Sequence, residues 1–118
     1  MVTDCGGFSY AEGLAAAHRM LDGRVRPDAV FCENDVMALA LIDAAKARGL
    51  RVPQDLSVIG FDDIPMAGWE SYRLTTVRQP IRRMVAETLA LIDEQRRGAV
   101  PGGAIRVLPV EMITRDTG

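Results

Sequence analysis

The sequence predicts an α/β fold, a parallel sheet flanked by helices. Ala29–Cys32 and Ser57–Phe61 are continuous apolar runs without polar alternation, as expected of strands covered on both faces. Between them lies a segment of helical length and apolar spacing, and parallel strands need a crossover of that kind. Helix start and stop signals bracket each helical segment.

The elements follow in order. Ser9 with Glu12 three residues on is a capping box, so a helix is expected over 9–22, with Leu14, Ala17 and Leu21 on one face and Gly23 as its stop. Ala29–Cys32 is the first strand. Asn34 or Asp35 can cap the next helix, which runs to about Arg48 and stops at Gly49. Its residues Val36–Ile42 are apolar almost all the way round, which implies burial on both faces, by a second subunit or by a further element of this chain. Ser57–Phe61 is the second strand, and Ile64–Leu74 is irregular. "TTVRQ" is a third strand, and Pro80 suits the first turn of a further helix. Ile81, Met84, Val85, Thr88, Leu89 and Ile92 line one face of that helix. "GAVPGGA" is a loop, and "IRVLPVEMITRD" is extended and interrupted at Pro109. The order begins on a helix, whereas a doubly wound sheet begins on a strand that could pair beside Ala29–Cys32. Residue 1 is therefore expected not to be the natural start of the fold.

Composition narrows the function classes. The 118 residues have room for one domain or part of one, and 48% hydrophobic with 25% charged residues is ordinary for a soluble globular chain. A net charge of −2 requires no basic face for gripping nucleic acid. No apolar run is long enough to span a bilayer, and "MVTDCGGFSY" lacks the basic and apolar regions of a signal peptide. With only Cys5 and Cys32, no CxxC and a single histidine, neither a zinc site nor a disulfide framework is expected. These features favour a cytoplasmic location without a membrane.

The chemistry is expected beyond the carboxyl ends of the strands, where ligands bind in open parallel sheets. Asn34 and Asp35 follow the first strand, Asp62 and Asp63 the second, and Arg78 and Gln79 the third. Carboxylates accept hydrogen bonds from hydroxyls, and amides donate and accept, which suits a polyhydroxylated or amine-bearing ligand. The same residue types are favoured at caps and turns for purely local reasons. No GxSxG or GKS/T loop is present, His18 lies mid-helix away from both cysteines, and Cys32 reads as a buried inert thiol. No catalytic residue, metal site or cofactor is expected. Asp35, Asp62 and Asp63 could bind a hard cation, but they sit in two loops without a metal-ligand spacing.

The combination of "FCEND", "GLRVPQDLSVIGFDD" and "LTTVRQP", with "GGFSYAEGLAAAHRML" before it and "LPVEMITRDTG" after it, closely resembles LacI-family bacterial transcription regulators. The resemblance covers essentially the whole chain. It implies a periplasmic-binding-protein-like fold in which two α/β subdomains close on a small effector, often a sugar or nucleobase. The chain then corresponds to most of the C-terminal subdomain. Helix 81–97 belongs to the other, N-terminal subdomain, and the DNA-binding helix-turn-helix is not included. Carried over by position, Phe8, Asn34, Asp62 and Gln79 match effector contacts, and Leu39, Ile42, Asp43 and Trp69 match the dimer interface. A family arginine that grips the effector would precede residue 1, and Glu33 stands where the family tends to have a small residue. The implied function is effector sensing in a DNA-binding regulator that is a homodimer or higher oligomer. The alternative is a periplasmic sugar-binding protein of a transport system. An enzyme would need a catalytic constellation that the sequence lacks. The apolar stripe Ile81–Ile92 is expected to drive self-association of the isolated chain, with domain swapping as one route.

Overall fold

The computed structural model describes residues 3–100 and 102–118, so the loop reading at Pro101 and the reading of the first two residues lie outside it. The described residues form two compact units. The first runs to Arg78 and takes in Met112–Gly118; the second is Gln79–Glu111.

In the first unit, α1 (Tyr10–Leu21) starts where Ser9 accepts a hydrogen bond from the Glu12 amide at 3.2 Å, and the Glu12 carboxylate takes the Ser9 hydroxyl at 2.6 Å. The helix ends at Asp22, one residue before Gly23. After β1 (Ala29–Phe31), Asn34 caps α2 (Asp35–Ala47) by accepting from the Met37 amide at 2.8 Å. Gly49, at φ 71°, closes α2: its amide reaches the Lys46 carbonyl while the Leu50 amide reaches that of Ala45. This is a Schellman stop, and glycine adopts the required left-handed backbone at no steric cost. Next come β2 (Ser57–Phe61), a 3-10 turn at Pro65–Gly68 and β3 (Thr75–Arg78). The strand β4 (Glu111–Ile113) completes a four-stranded sheet of order β1-β2-β3-β4, in which β1, β2 and β3 run parallel.

Burial decides one expectation and corrects another. The apolar girth of α2 is covered by its own chain: α1, β2 and the Ile64–Leu74 segment pack around it, and Leu41, Ile42, Leu56, Val58, Ala67 and Leu74 share one core. No second subunit is needed to explain the pattern. The sheet is also less covered than expected, since Val58 and Gly60 of β2 are buried while Ser57, Ile59 and Phe61, on the opposite face, are half-buried.

The C-terminal tail stitches the amino ends of β2 and β3. The Thr117 hydroxyl donates to the Val58 carbonyl at 2.7 Å and accepts from the Thr75 amide at 2.9 Å, and the Thr117 carbonyl accepts from the Val58 amide at 2.7 Å. Backbone groups that would otherwise be buried without partners are thereby satisfied.

The second unit is α3 (Ile81–Arg96) and the chain that follows it. Arg106 folds back to ion-pair with Glu87 at 2.5 Å and Glu94 at 2.6 Å, residues that lie two turns apart on α3. The apolar face of α3 is exposed, Leu89 to 62%.

Candidate functional site

The carboxyl ends of β1 and β2 carry the candidate polar groups of the first unit. Asn34 is buried, and its side-chain oxygen is engaged in capping α2, so its NH2 group is the part that remains for a ligand. Asp62 directly follows β2. Its amide extends the ladder by donating to the Val77 carbonyl at 2.8 Å. Its φ of 117° lies in a region that L-residues adopt only under strain, whereas the neighbouring Asp63, at 53°, sits in the left-handed well that Asp tolerates.

Phe8 precedes α1 at φ 59° and is 68% exposed. A bulky aromatic in left-handed backbone and open to solvent is also an outlier. Phe8 and the exposed Glu33 line one cleft of about 510 Å³ between α1, α2 and the outer edge of β1, together with Phe31, Cys32 and Met37. Asn34 and Asp62 lie outside that lining. Gln79 is the first residue of the second unit, where its carbonyl accepts from the Ile81 amide at 2.9 Å.

The remaining candidates divide differently. Burial of Cys32 pushes its thiol up to about 12, which leaves it protonated and unreactive. His18 is half-buried, and its Nδ1 lies 2.6 Å from an Arg48 nitrogen. A guanidinium only donates, so Nδ1 is the acceptor in this contact. Among the described residues, no three His, Cys, Asp or Glu side chains gather to hold a metal ion.

Two residues matched by resemblance to a subunit interface are buried within their own chain. Leu39 is 4% exposed and Ile42 is 0% exposed, both in the core of their own chain. The family resemblance matched them to an interface by position, but the elements that cover them come from distant parts of this chain's own sequence. Trp69 is 55% exposed. Asp43 is half-buried and accepts hydrogen bonds from the phenols of Tyr10 at 2.7 Å and Tyr72 at 3.1 Å. The bond to Asp43, with some burial, holds the Tyr10 phenol up to about 12.

Two carboxylates have roles that sequence reasoning did not assign. Asp63 is gripped by Arg78 at 2.6 Å and Arg115 at 2.7 Å, which ties the turn after β2 to the C-terminal tail. Asp35 is fully buried. It accepts from the Thr76 hydroxyl at 2.5 Å and the Ile64 amide at 2.9 Å. Burial raises its carboxyl above the usual range, against the lowering effect of these two bonds, and the nearby Asp62 and Asp63 carboxylates add to the rise. The available sequence signal was Gly60, a glycine inside an apolar strand, which often marks a close approach.

The family model for the periplasmic binding protein-like domain matches residues 3–117. The HTH-type transcriptional repressor CytR of Escherichia coli K12 is 40% identical over 112 residues, 95% of this chain and 33% of its own length. The chain thus spans about a third of that curated relative. Among solved structures, a transcriptional regulator CelR–cellobiose complex superposes with a TM-score of 0.86 at 34% identity, over 96% of this chain and 35% of the other. The lac repressor dimer bound to operator and the anti-inducer ONPF gives 0.87 at 30% identity, over 95% of this chain and 39% of the other.

Proposed function

The chain belongs to the periplasmic binding protein-like domain family, and on that footing we propose that it is the effector-sensing part of a LacI-type transcription regulator whose effector is a sugar. The observation that carries this reading is Asp62. A turn needs no carboxylate at φ 117°, and glycine would fit that backbone better. The strain is explained if the carboxylate is required where it stands, at a strand's carboxyl end, as a charged acceptor for ligand hydroxyls. Asn34 donates through its NH2, and Phe8 stacks on a ring face. The CelR structure holds cellobiose, which favours a saccharide as the ligand class.

In the whole regulator, effector binding biases the arrangement of the two subdomains and so changes operator affinity by linkage. A regulator of this kind acts on operator DNA, which favours a cytoplasmic location. Asp43 and Trp69 remain candidates for a dimer contact, in keeping with the dimeric lac repressor. A binding protein of a transport system shares the fold, but the relative matched at 40% identity is a transcriptional repressor. None of these relatives is an enzyme by name.

Calorimetric titration of the full-length protein with cellobiose and a panel of mono- and disaccharides tests the reading. For the saccharide that binds, Asp62→Asn is expected to weaken affinity by about 1.5–3 kcal/mol, the worth of a hydrogen bond to a charged group. Equal affinities for wild type and variant would contradict it.

A further inference from the structure

Three elements are shaped around the Asp35 carboxylate. Gly60 of β2 and Thr76 of β3 are register partners. A Cβ at Gly60 would sit 2.2 Å from Asp35 Oδ1, so glycine is what makes room for the carboxylate. The Thr76 hydroxyl donates to that same oxygen, while Oδ2 accepts from the Ile64 amide, two residues beyond Asp62. Asp35 itself follows Asn34 directly and opens α2.

A buried carboxylate is costly unless paired with a cation, and the hydrogen-bond partners of Asp35 are a hydroxyl and an amide. The α2 N-terminus offsets part of that cost. A neutral residue would fill the space more cheaply, so packing alone does not account for the charge. A charged acceptor does make strong bonds of fixed geometry to two donors on separate elements.

We propose that Asp35 is a positioning residue for effector binding: it locks the loop carrying Asp62 to the strand end carrying Asn34, with Thr76 as its anchor on β3. The inference rests on the reading of Asn34 and Asp62 as effector ligands.

Thr76→Val tests it, because valine keeps the shape of threonine and removes only the hydroxyl. In the full-length protein, amide-resolved hydrogen–deuterium exchange is expected to speed up about tenfold at Ile64 in this variant. Val58, on the amino half of β2, should keep its wild-type rate, and Thr76→Ser should restore protection at Ile64. Cellobiose affinity should fall about tenfold in Thr76→Val and recover in Thr76→Ser. No change at Ile64, equal acceleration at Ile64 and Val58, or undiminished cellobiose affinity would each overturn the proposal. If Asp62→Asn also leaves cellobiose binding untouched while Ile64 still responds to Thr76→Val, the effector reading fails and the loop lock stands.

Discussion

Gly60→Ala is expected to destabilise the protein by about 3–5 kcal/mol, combining overpacking with a lost buried hydrogen bond. The added methyl would lie 2.2 Å from Asp35 Oδ1, 2.9 Å from Leu74 Cδ2 and 3.3 Å from the Ala38 Cβ. None of these atoms can step aside easily. Asp35 is held by two hydrogen bonds, and Leu74 and Ala38 are fully buried. Urea denaturation followed by circular dichroism measures the effect, and a midpoint equal to that of wild type would show that the packing around Asp35 is looser than described.

The second large effect belongs to Asp63. Its side chain is 7% exposed and bonds two arginines, one of which, Arg115, also donates to the Leu74 carbonyl. Asp63→Asn removes the negative charge that both guanidinium groups bond. The expected cost near neutral pH is about 3 kcal/mol, at the low end for breaking a buried pair because Arg78 is half exposed. Burial alone would raise the Asp63 carboxyl, but Arg115 and Arg78 outweigh it and hold the group below its ordinary value of 3.8. A depressed folded value means that the stabilisation is present above about 3.8 and lost as pH falls through the folded value. Asp35 has the opposite sign, since its folded value is raised, but it is common to both proteins and cancels in their difference. The stability gap between wild type and Asp63→Asn should therefore be widest near neutrality and close below about pH 4. A gap independent of pH would place the role of Asp63 in packing and not in its charge.

The difference between Asp62 and Asp63 shows how far the sequence could be read. Their place at a strand's carboxyl end followed from the apolar run Ser57–Phe61, which is the observed β2. The stop of α2 followed from Gly49, because its cause is local. What Asp63 binds did not follow, since Arg115 lies 52 residues away and no local pattern encodes that pairing. Asp35 was obscured by its neighbour. Asn34 and Asp35 are both good capping residues, and only the path of β3 decides that Asn34 caps while Asp35 turns inward to Thr76. The girth of α2 stated that both faces are buried, but not by what, and the structure places Leu39 and Ile42 in the core of their own chain. The backbone strain at Phe8 and Asp62 is likewise invisible in residue identity, yet it marks two of the four residues expected to touch the effector.

The most direct test of the central claim is Asp62→Gly, with folding stability and saccharide affinity measured on the same full-length protein. Glycine relieves backbone strain of about 1–3 kcal/mol and adds about 0.5–1 kcal/mol of chain entropy to the unfolded state. Stability should therefore hold or rise. Affinity for the saccharide that binds wild type should fall at least tenfold, because the charged acceptor is gone. A variant that loses stability but binds as wild type does would show that Asp62 serves only the turn, and would contradict its role as an effector ligand.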